Sequence, residues 1–191
     1  QTDRQTDRQT DRQTDRQTFV NCKLKDLFDE ISRGKRIKTS DRIKGELPFV
    51  TAGIVNTGIS SYIQASQVRV FNKDTLTIDM FGSVFYRGYS YGADDHVTVL
   101  RNSNNDFSSY ILRFMQPLIE KVIEGTFTYS RNFYPSDALH IEIPLPMYNG
   151  EIAYEFMEKF IRVIEKLVIK DLVIWADKKI RATKLIVKYK I

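Results

Sequence analysis

The clearest pattern in the chain is an alternation of apolar and polar side chains between residues 75 and 87. Leu76, Ile78 and Met80 alternate with two threonines and an aspartate, which is the two-residue period of a strand with one buried face. A glycine bend follows, and residues 84–87 are suited to a second strand. Shorter strand-like segments upstream extend the pattern, so we expect a sheet of short strands joined by polar loops.

Helical spacing of apolar residues flanks this sheet on both sides. Residues 24–31 predict a short amphipathic helix that ends near Gly34. A second helix is expected directly after Asp106, which can cap it, and Pro117 is expected to kink or interrupt it. Residues 139–143 then alternate as a last strand. Together these elements indicate an α+β domain.

The last part of the chain, residues 149–191, has a different pattern. Its apolar residues form two stripes that are offset by about 100° on a helix. A helix that is apolar on two faces must be covered on two sides, and one side can pack on its own domain. We therefore expect a long C-terminal α-helix whose other side meets a partner helix through Ile161, Ile164, Val168 and Trp175.

The first part, residues 1–18, contains the sequence Gln-Thr-Asp-Arg four times, followed by Gln-Thr. It has no apolar residue and equal numbers of acidic and basic residues, so we expect a disordered linker. A sharper alternative is a spacer in which the number of repeats sets a distance. Residues 19–148 then form the globular domain, which we expect to be β-rich with mixed or antiparallel pairing.

Composition and charge narrow the function. The 191 residues carry 29 Lys and Arg against 24 Asp and Glu, a net charge of +5, which favours an anionic partner and nucleic acid first. Cys22 is the single cysteine, so no internal disulfide can form and a reducing compartment is expected. The polar first residues are unlike a secretion signal, and Lys170 and Asp171 interrupt the best candidate membrane span. We therefore expect a cytoplasmic protein without membrane contact.

Motifs of known catalytic sites are missing from the sequence. It has no glycine-rich nucleotide-binding loop, no nucleophile elbow and no cysteine or histidine pair at zinc spacing. We therefore expect no catalytic residue, cofactor or metal. The enzymatic alternative is a metal-dependent hydrolase, whose metal would be held by residues without diagnostic spacing: Asp94, Asp95, His96, His140 and Glu142.

Basic and aromatic side chains gather in three loops, a combination typical of DNA-binding surfaces. The first loop contains cations that can neutralise phosphates: Lys35, Arg36, Lys38, Arg42 and Lys44. The other two loops and Asn56 offer side chains that can bond base edges or stack: Arg87, Tyr89, Tyr91, Tyr129, Arg131 and Asn132. The alternatives are a solvated basic loop and tyrosines that only cover the core.

Several longer motifs point to one family. They are Gly34-Lys-Arg-Ile-Lys38, Pro48-Phe-Val-Thr-Ala-Gly53, Asn56-x-Gly-Ile-Ser60, Ile78-Asp-Met-Phe-Gly82, Val84-Phe-Tyr-Arg87, Tyr91-Gly-Ala-Asp-Asp-His-Val97 and Phe156-Met-Glu158. Together they resemble the target recognition domain of restriction-modification specificity subunits, as in type I systems, and the similar C-terminal module of fused type IIG restriction-methylation enzymes. The resemblance covers nearly everything from Phe19 onwards.

The resemblance implies a chain that binds double-stranded DNA sequence-specifically, directs partner methyltransferase and endonuclease subunits, and catalyses no reaction itself. It also implies long helices that act as spacers, so the C-terminal helix is expected to pair with a second copy or a second specificity half. One recognition domain is present where a full subunit has two. The alternative is a C-terminal fragment of a fused type IIG enzyme, whose methyltransferase motifs would lie outside this sequence.

Overall fold

The structure, a computed structural model, describes residues 18–103 and 107–188; the expectations for the Gln-Thr-Asp-Arg repeat and for Asp106 lie outside them. The strands are β1 (Thr18–Lys23), β2 (Glu30–Arg33), β3 (Lys44–Val50), β4 (Ile59–Ile63), β5 (Thr75–Asp79), β6 (Val84–Arg87), β7 (Gly92–Ala93), β8 (Val97–Arg101), β9 (Glu142–Tyr148) and β10 (Glu151–Ile152). The α-helices are α1 (Leu24–Leu27), α2 (Ser109–Ile123), α3 (Pro135–Ala138) and α4 (Tyr154–Lys188). Three short 3-10 turns cover Thr39–Asp41, Val55–Gly58 and Ala65–Gln67.

The strands form three sheets. The first has the order β1-β9-β10 and the second the order β2-β8-β5-β6, and both are antiparallel. The third has the order β4-β3-β7, in which β3 pairs antiparallel with β4 and parallel with β7. The predicted α+β class, with mixed and antiparallel pairing and a long helix after it, is confirmed.

Helix α2 carries much of the main hydrophobic core. Its buried residues recur every three or four positions, at Ile111, Leu112, Met115, Ile119 and Ile123. They share one core cluster with Leu76 and Ile78 on the apolar face of β5. The helix runs through Pro117, so of the predicted kink or interruption the interruption was wrong. Apolar burial on both sides of the proline offsets its cost in a helix, which is about 3 kcal/mol.

The prediction of one helix over residues 24–31 was also wrong. Only α1 is helical there, and β2 follows it with Ile31 paired into β8. The apolar spacing was misleading because Leu24, Leu27 and Phe28 all enter the main core around a single turn. That arrangement gives helical spacing without requiring a longer helix.

Helix α4 begins at Tyr154 rather than at residue 149, because the short strand β10 first pairs with β9. Its first turns are attached to the domain. Met157 is fully buried, and the ring of Phe160 packs edge-on against Phe114 of α2 with centroids 5.6 Å apart. An ion pair between Arg113 and Glu165 ends this contact. None of the described helices is long and apolar enough to cross a membrane.

Strand β5 is buried on both faces, whereas the sequence predicted one exposed face. Its polar residues Thr75, Thr77 and Asp79 are covered as completely as its apolar ones. Opposite them lies a second, smaller core formed by Val50, Phe71, Tyr91, Ala93, Val97 and Val99. The polar atoms of this face therefore need partners inside the protein, because burying them unpaired would destabilise the fold.

Those partners come from neighbouring loops and from Arg87. The Asp79 carboxylate accepts hydrogen bonds from the backbone N–H groups of Gly53, Phe81 and Ser83, at 2.8, 2.9 and 2.9 Å. The hydroxyls of Thr75 and Tyr91 are 2.9 Å apart. Asp79 and Thr75 thus fix segments outside their own sheet, whereas Thr77 bonds Phe85 and Arg87 of the neighbouring strand β6.

Arg87 is 1% exposed and completes this polar layer. Its Nε donates to Thr77 Oγ1 at 2.9 Å, and its Nη1 donates to the Thr57 carbonyl at 2.7 Å and to the Tyr89 hydroxyl at 3.0 Å. The guanidinium lies 5.1 Å from the centre of the Phe85 ring. Within the described part of the chain no carboxylate forms an ion pair with it, so neutral oxygens and aromatic faces stabilise this cation.

Replacing Arg87 should therefore destabilise the whole domain. We expect Arg87→Ala to lower the free energy of unfolding by about 3 kcal/mol or more, because it leaves buried acceptors without a donor. Arg87→Lys should lose less, since an ammonium group can still reach one of the acceptors. Urea unfolding followed by circular dichroism measures both. Arg33→Ala, at an exposed position of β2, is the matched control and should change stability by less than about 0.5 kcal/mol. A loss below 1 kcal/mol for Arg87→Ala would contradict this role.

Candidate nucleic-acid interface

Three loops are attached at or beside the C-terminal end of β5. We name them the basic arm, residues 34–44, the glycine loop, residues 51–58, and the hairpin loop, residues 126–134. The glycine loop is attached through the hydrogen bond from Gly53 N to Asp79. The hairpin loop is attached through Phe133, whose N–H donates to the Met80 carbonyl at 3.0 Å. Both loops therefore emerge where β5 ends.

The basic arm begins at the same end of the sheet. Gly34 N–H faces the carbonyl of Val97 at 3.4 Å, and Val97 is the direct partner of Asp79 across β5 and β8. A Cβ on Gly34 would lie 1.8 Å from the Ala93 carbonyl oxygen, so only glycine allows this approach. Lys35 N–H then donates to that carbonyl at 2.9 Å. The arm therefore leaves the domain from a fixed point.

The far end of the arm is also held. The Gln67 side chain donates to the Asp41 carbonyl at 2.7 Å and accepts from Ile43 N–H at 2.8 Å. The side chains of Lys35, Arg36 and Lys38, between the two attachments, and of Lys44, directly after the second, are exposed. In the described residues no acidic side chain forms an ion pair with any of these four. Their positive charge is therefore available to an anionic partner.

Arg42 connects the arm to the edge strand β4. Its Nη1 donates to the hydroxyls of Ser60 and Ser61 at 3.3 and 3.4 Å, and its Nε donates to the Ile37 carbonyl at 3.3 Å. The guanidinium also lies 4.8 Å from the centre of the Phe49 ring. Arg42 is half-buried, so it both shapes the arm and leaves part of its charge at the surface.

The glycine loop has a strained, well-fixed backbone. Asn56 and Thr57 have φ angles of 49° and 53°, in the left-handed region that non-glycine residues rarely adopt. Such conformations cost about 1–3 kcal/mol each and persist where the surroundings enforce them. Here the hydrogen bond from Arg87 to the Thr57 carbonyl and a bond from Thr51 N to the Gly58 carbonyl at 2.9 Å enforce the turn. Asn56 is exposed at its tip.

Two residues expected to touch DNA are placed inside the protein. Arg87 is buried as described above, and Tyr91 is 0% exposed, between Phe71 and Thr75. Burial raises the pKa of the Tyr91 hydroxyl far above its usual range, so this group stays neutral. Neither side chain can reach a ligand from there. Arg87 holds the glycine loop through the Thr57 carbonyl, whereas Tyr91 bonds Thr75 of β5. Tyr89, half-buried beside them, accepts a hydrogen bond from Arg87.

The hairpin loop presents one tyrosine to solvent. Thr128 and Arg131 exchange two backbone hydrogen bonds, of 2.9 and 3.1 Å, and Tyr129 at the turn between them is 86% exposed. Arg131 is engaged with Asp137, at 2.5 Å, and this ion pair holds the pKa of the Asp137 carboxyl below its usual range. Asn132 is half-buried, and its amide group can donate to the carbonyls of Thr128 and Tyr129. Tyr129 is thus the freest of the three predicted contacts.

Only three of the five residues proposed for a hydrolase metal site lie together among the described residues. Asp94, Asp95 and His96 do lie together, with His96 Nδ1 3.6 Å from Asp94 and 3.2 Å from Asp95. Burial first, and then the neighbouring Asp95 charge, raise the pKa of the Asp94 carboxyl. Among the described residues, this group of possible metal ligands does not include His140 or Glu142, and Glu142 instead faces Lys23 across the first sheet. The five-residue metal centre is therefore not assembled.

The structure also reveals residues near these loops that the sequence did not indicate. Ile54 and Val55 stand exposed beside Asn56 on the glycine loop, and Tyr62 is exposed on the outer face of β4. The signal in the sequence was an apolar pair between two glycines in a segment too short for a strand. Gln67, which clamps the arm, gave no signal, because only the fold brings it beside Asp41 and Ile43.

Comparison with known proteins places this geometry in a family. The chain is 27% identical over 151 residues to the type II restriction enzyme BgcI specificity subunit S.BcgI of Heyndrickxia coagulans, covering 77% of this chain and 43% of that protein. The S subunit of a type I restriction-modification system from M. genitalium superimposes with a TM-score of 0.57 at 18% identity, over 80% of this chain and 40% of that one. The HsdS subunit from Thermoanaerobacter tengcongensis gives a TM-score of 0.51 at 16% identity, over 80% and 38%.

The two solved structures show a shared fold. This chain spans less than half the length of each of these relatives. The model of the type I restriction modification DNA specificity domain matches residues 17–172, which include the sheets, the three loops and the first half of α4. Because the matched residues make up most of this chain, the chain belongs to the family of type I restriction modification DNA specificity domains.

Proposed function

We propose that this chain is the DNA-recognition part of a restriction-modification specificity subunit, and that it binds duplex DNA with the three loops at the end of β5. The observation that carries the proposal is the basic arm, whose four exposed cations have no acidic partner in the described residues. A surface of unpaired cations attracts a polyanion, and phosphates are the polyanionic feature of every duplex. The family and the S.BcgI likeness support DNA as that polyanion.

In this proposal the three loops contact different parts of the DNA. The arm and Arg42 hold the phosphates, which orients the duplex without reading its sequence. Asn56 and Tyr129, at the tips of the other two loops, reach the bases, and Tyr89, Arg131 and Asn132 support them at the edges of the contact. Arg87 acts from inside by fixing the glycine loop, and Tyr91 supports the buried core beside it.

The reaction itself belongs to partner subunits in this proposal. The relative S.BcgI is named as the specificity subunit of a restriction enzyme, so we expect a methyltransferase and an endonuclease to be directed by this chain. Whether it acts as a separate subunit or as the specificity module of a fused type IIG polypeptide, its part is recognition and it needs no cofactor. DNA modification with such partners places its action in the cytoplasm.

We further propose that α4 pairs with a second helix of the same kind. Beyond Glu165 both apolar stripes are exposed, including Leu167, Val168, Ile169, Leu172, Val173, Ile174 and Trp175. An apolar surface of this length is larger than a monomer usually presents to water. Of the four residues predicted to pair, Ile164, Val168 and Trp175 are exposed, and Ile161 is partly covered.

Antiparallel pairing would place two recognition domains at the ends of a rod. The 35 residues of α4 extend about 50 Å. Two-fold symmetry would then present the same three loops twice, so a pair of chains would read a DNA site in two separated parts. A second specificity half in a longer subunit would supply the same helix and the same geometry.

Removing three charges from the arm should weaken binding to all duplexes about equally. For Lys35→Gln, Arg36→Gln and Lys38→Gln together, we expect the slope of log K against log salt concentration to fall by about two to three, since each phosphate contact contributes about 0.9. Fluorescence anisotropy with a duplex of arbitrary sequence measures this slope. The matched control removes three exposed charges elsewhere, at Lys121, Lys159 and Lys166. If the arm variant shows the same salt slope as the unmodified chain, the basic arm does not contact the DNA phosphates.

Charged residues on α4 should abolish self-association. We expect the unmodified chain to form a dimer, and Ile164→Asp with Val168→Asp to give a monomer whose sheets remain folded, because two buried carboxylates cannot be accommodated in an apolar helix pair. Sedimentation velocity gives the mass, and circular dichroism reports the strands. Lys166→Asp with Lys170→Asp, which also adds two acidic residues to α4, is the control. If the unmodified chain is a stable monomer at high concentration, the pairing proposal fails.

A further inference from the structure

The glycine loop carries two exposed apolar side chains at its tip. Ile54 and Val55 are 74% and 78% exposed, and they immediately precede Asn56. Single exposed apolar residues are common on protein surfaces and need no explanation by themselves. Two of them side by side, at the end of a loop that is held rigidly, raise the question of what covers them.

The loop is rigid because the domain interior holds it at both ends. Asp79 binds Gly53 N–H just before the apolar pair, and Arg87 binds the Thr57 carbonyl just after it. Within the turn, Thr57 N–H donates to the Ile54 carbonyl at 3.1 Å. A Cβ on Gly58 would lie 2.7 Å from the Thr51 carbonyl oxygen, so the strands leaving the turn approach as closely as glycine permits. Two buried ionic side chains thus position a surface loop that contains only neutral residues.

The surroundings of the tip favour an anionic partner over an apolar one. Arg42 donates to the hydroxyls of Ser60 and Ser61 on β4, the edge strand that follows the loop. Lys44 of β3 pairs with Ile63, further along β4. A cavity of about 460 Å³ beside the tip is lined by Asn56, Ile59, Ser60, Ser61 and Tyr62. An apolar protein partner or a lipid interior would have to desolvate these polar and charged groups. A polyanion that also offers a small apolar group would satisfy both.

Duplex DNA has one such group in its major groove, the 5-methyl group of thymine. The adenine of the same base pair presents N6 and N7, which an asparagine side chain can bond in a bidentate manner. An A·T pair therefore offers an apolar and an amide-binding feature next to each other. The tip has the matching order, with Ile54 and Val55 followed by Asn56.

We infer that Ile54 and Val55 form an apolar reading tip that packs on a thymine methyl group in the major groove, while Asn56 bonds the paired or neighbouring adenine. The inference rests on the proposed function, because it needs duplex DNA on the surface formed by the three loops. It adds a specificity determinant, namely an A·T pair recognised through its methyl group. Arg87 and Asp79 are positioning residues for this contact.

The experiment removes the methyl group without changing base pairing. The full chain is used to select a preferred duplex from a randomised library, and each thymine of that duplex is then replaced singly by deoxyuridine. We expect one or two positions to lose affinity by about four-fold, the effect of one buried methyl group. The variant Ile54→Ala with Val55→Ala should bind the thymine and deoxyuridine duplexes equally well.

Two controls keep the result specific to the tip. Val20→Ala with Val122→Ala shortens two exposed apolar side chains on β1 and α2, and this variant should still discriminate thymine from deoxyuridine. Asn56→Ala should weaken the preference for the A·T pair by removing the bonds to adenine, yet retain the methyl effect, because Ile54 and Val55 remain. Thermal unfolding of each variant verifies that the domain is folded.

The outcomes separate this inference from the proposed function. Sequence preference without any effect of deoxyuridine, or an effect that persists in the alanine variant, overturns the methyl contact and leaves the proposed function in place. A selected duplex that has no thymine at a required position overturns it as well. Equal loss of affinity on both duplexes, with unstacking detected by 2-aminopurine fluorescence, would assign the tip to insertion between bases instead. No sequence preference at all would overturn both the inference and the proposed function.

Discussion

The polar face of β5 is the constraint on which the rest of the domain depends. A strand buried on both sides must satisfy its polar groups internally, because each unpaired group would cost about 1–3 kcal/mol. In this chain the partners are the backbones of surface loops and the buried Arg87, so the interior and the surface are fixed by the same hydrogen bonds. The second core, on the far side of β5, excludes water from these bonds and strengthens them.

This arrangement explains how loops without regular structure can present a definite surface. The glycine loop and the hairpin loop both attach at the C-terminal end of β5, and the basic arm, which follows β2, is attached at its start to Val97 of the partner strand β8. Binding sites carried by loops work best on a rigid frame, since less conformational entropy is lost when the partner binds. The long helix α4 is separate from that surface in the chain and packs on the domain through α2, so the proposed recognition surface and the proposed pairing helix are different elements.

The sequence predicted the elements well where local pattern decides them. Alternation and the glycine bend located β5 and β6, helical spacing located α2 and the long helix, and the motifs indicated the family. The pattern could not tell whether the polar side of β5 faces water or a second core, because Thr75, Thr77 and Asp79 have the same alternation in either case. For that reason Arg87 and Tyr91 were assigned to the surface, although tertiary contacts bury them. The prediction of a helix over residues 24–31 was wrong for a related reason, since one helical turn followed by a strand can reproduce helical spacing.

The central claim is that the three loops at the end of β5 form the DNA-binding surface, and photochemical cross-linking tests it most directly. A preferred duplex carrying 5-iododeoxyuridine at successive positions is irradiated with the full chain, and the modified residues are identified by mass spectrometry. The account predicts cross-links within the basic arm, the glycine loop and the hairpin loop, with Tyr129 among them. Cross-links confined to α4 or to the first sheet, with the three loops unmodified, would contradict it.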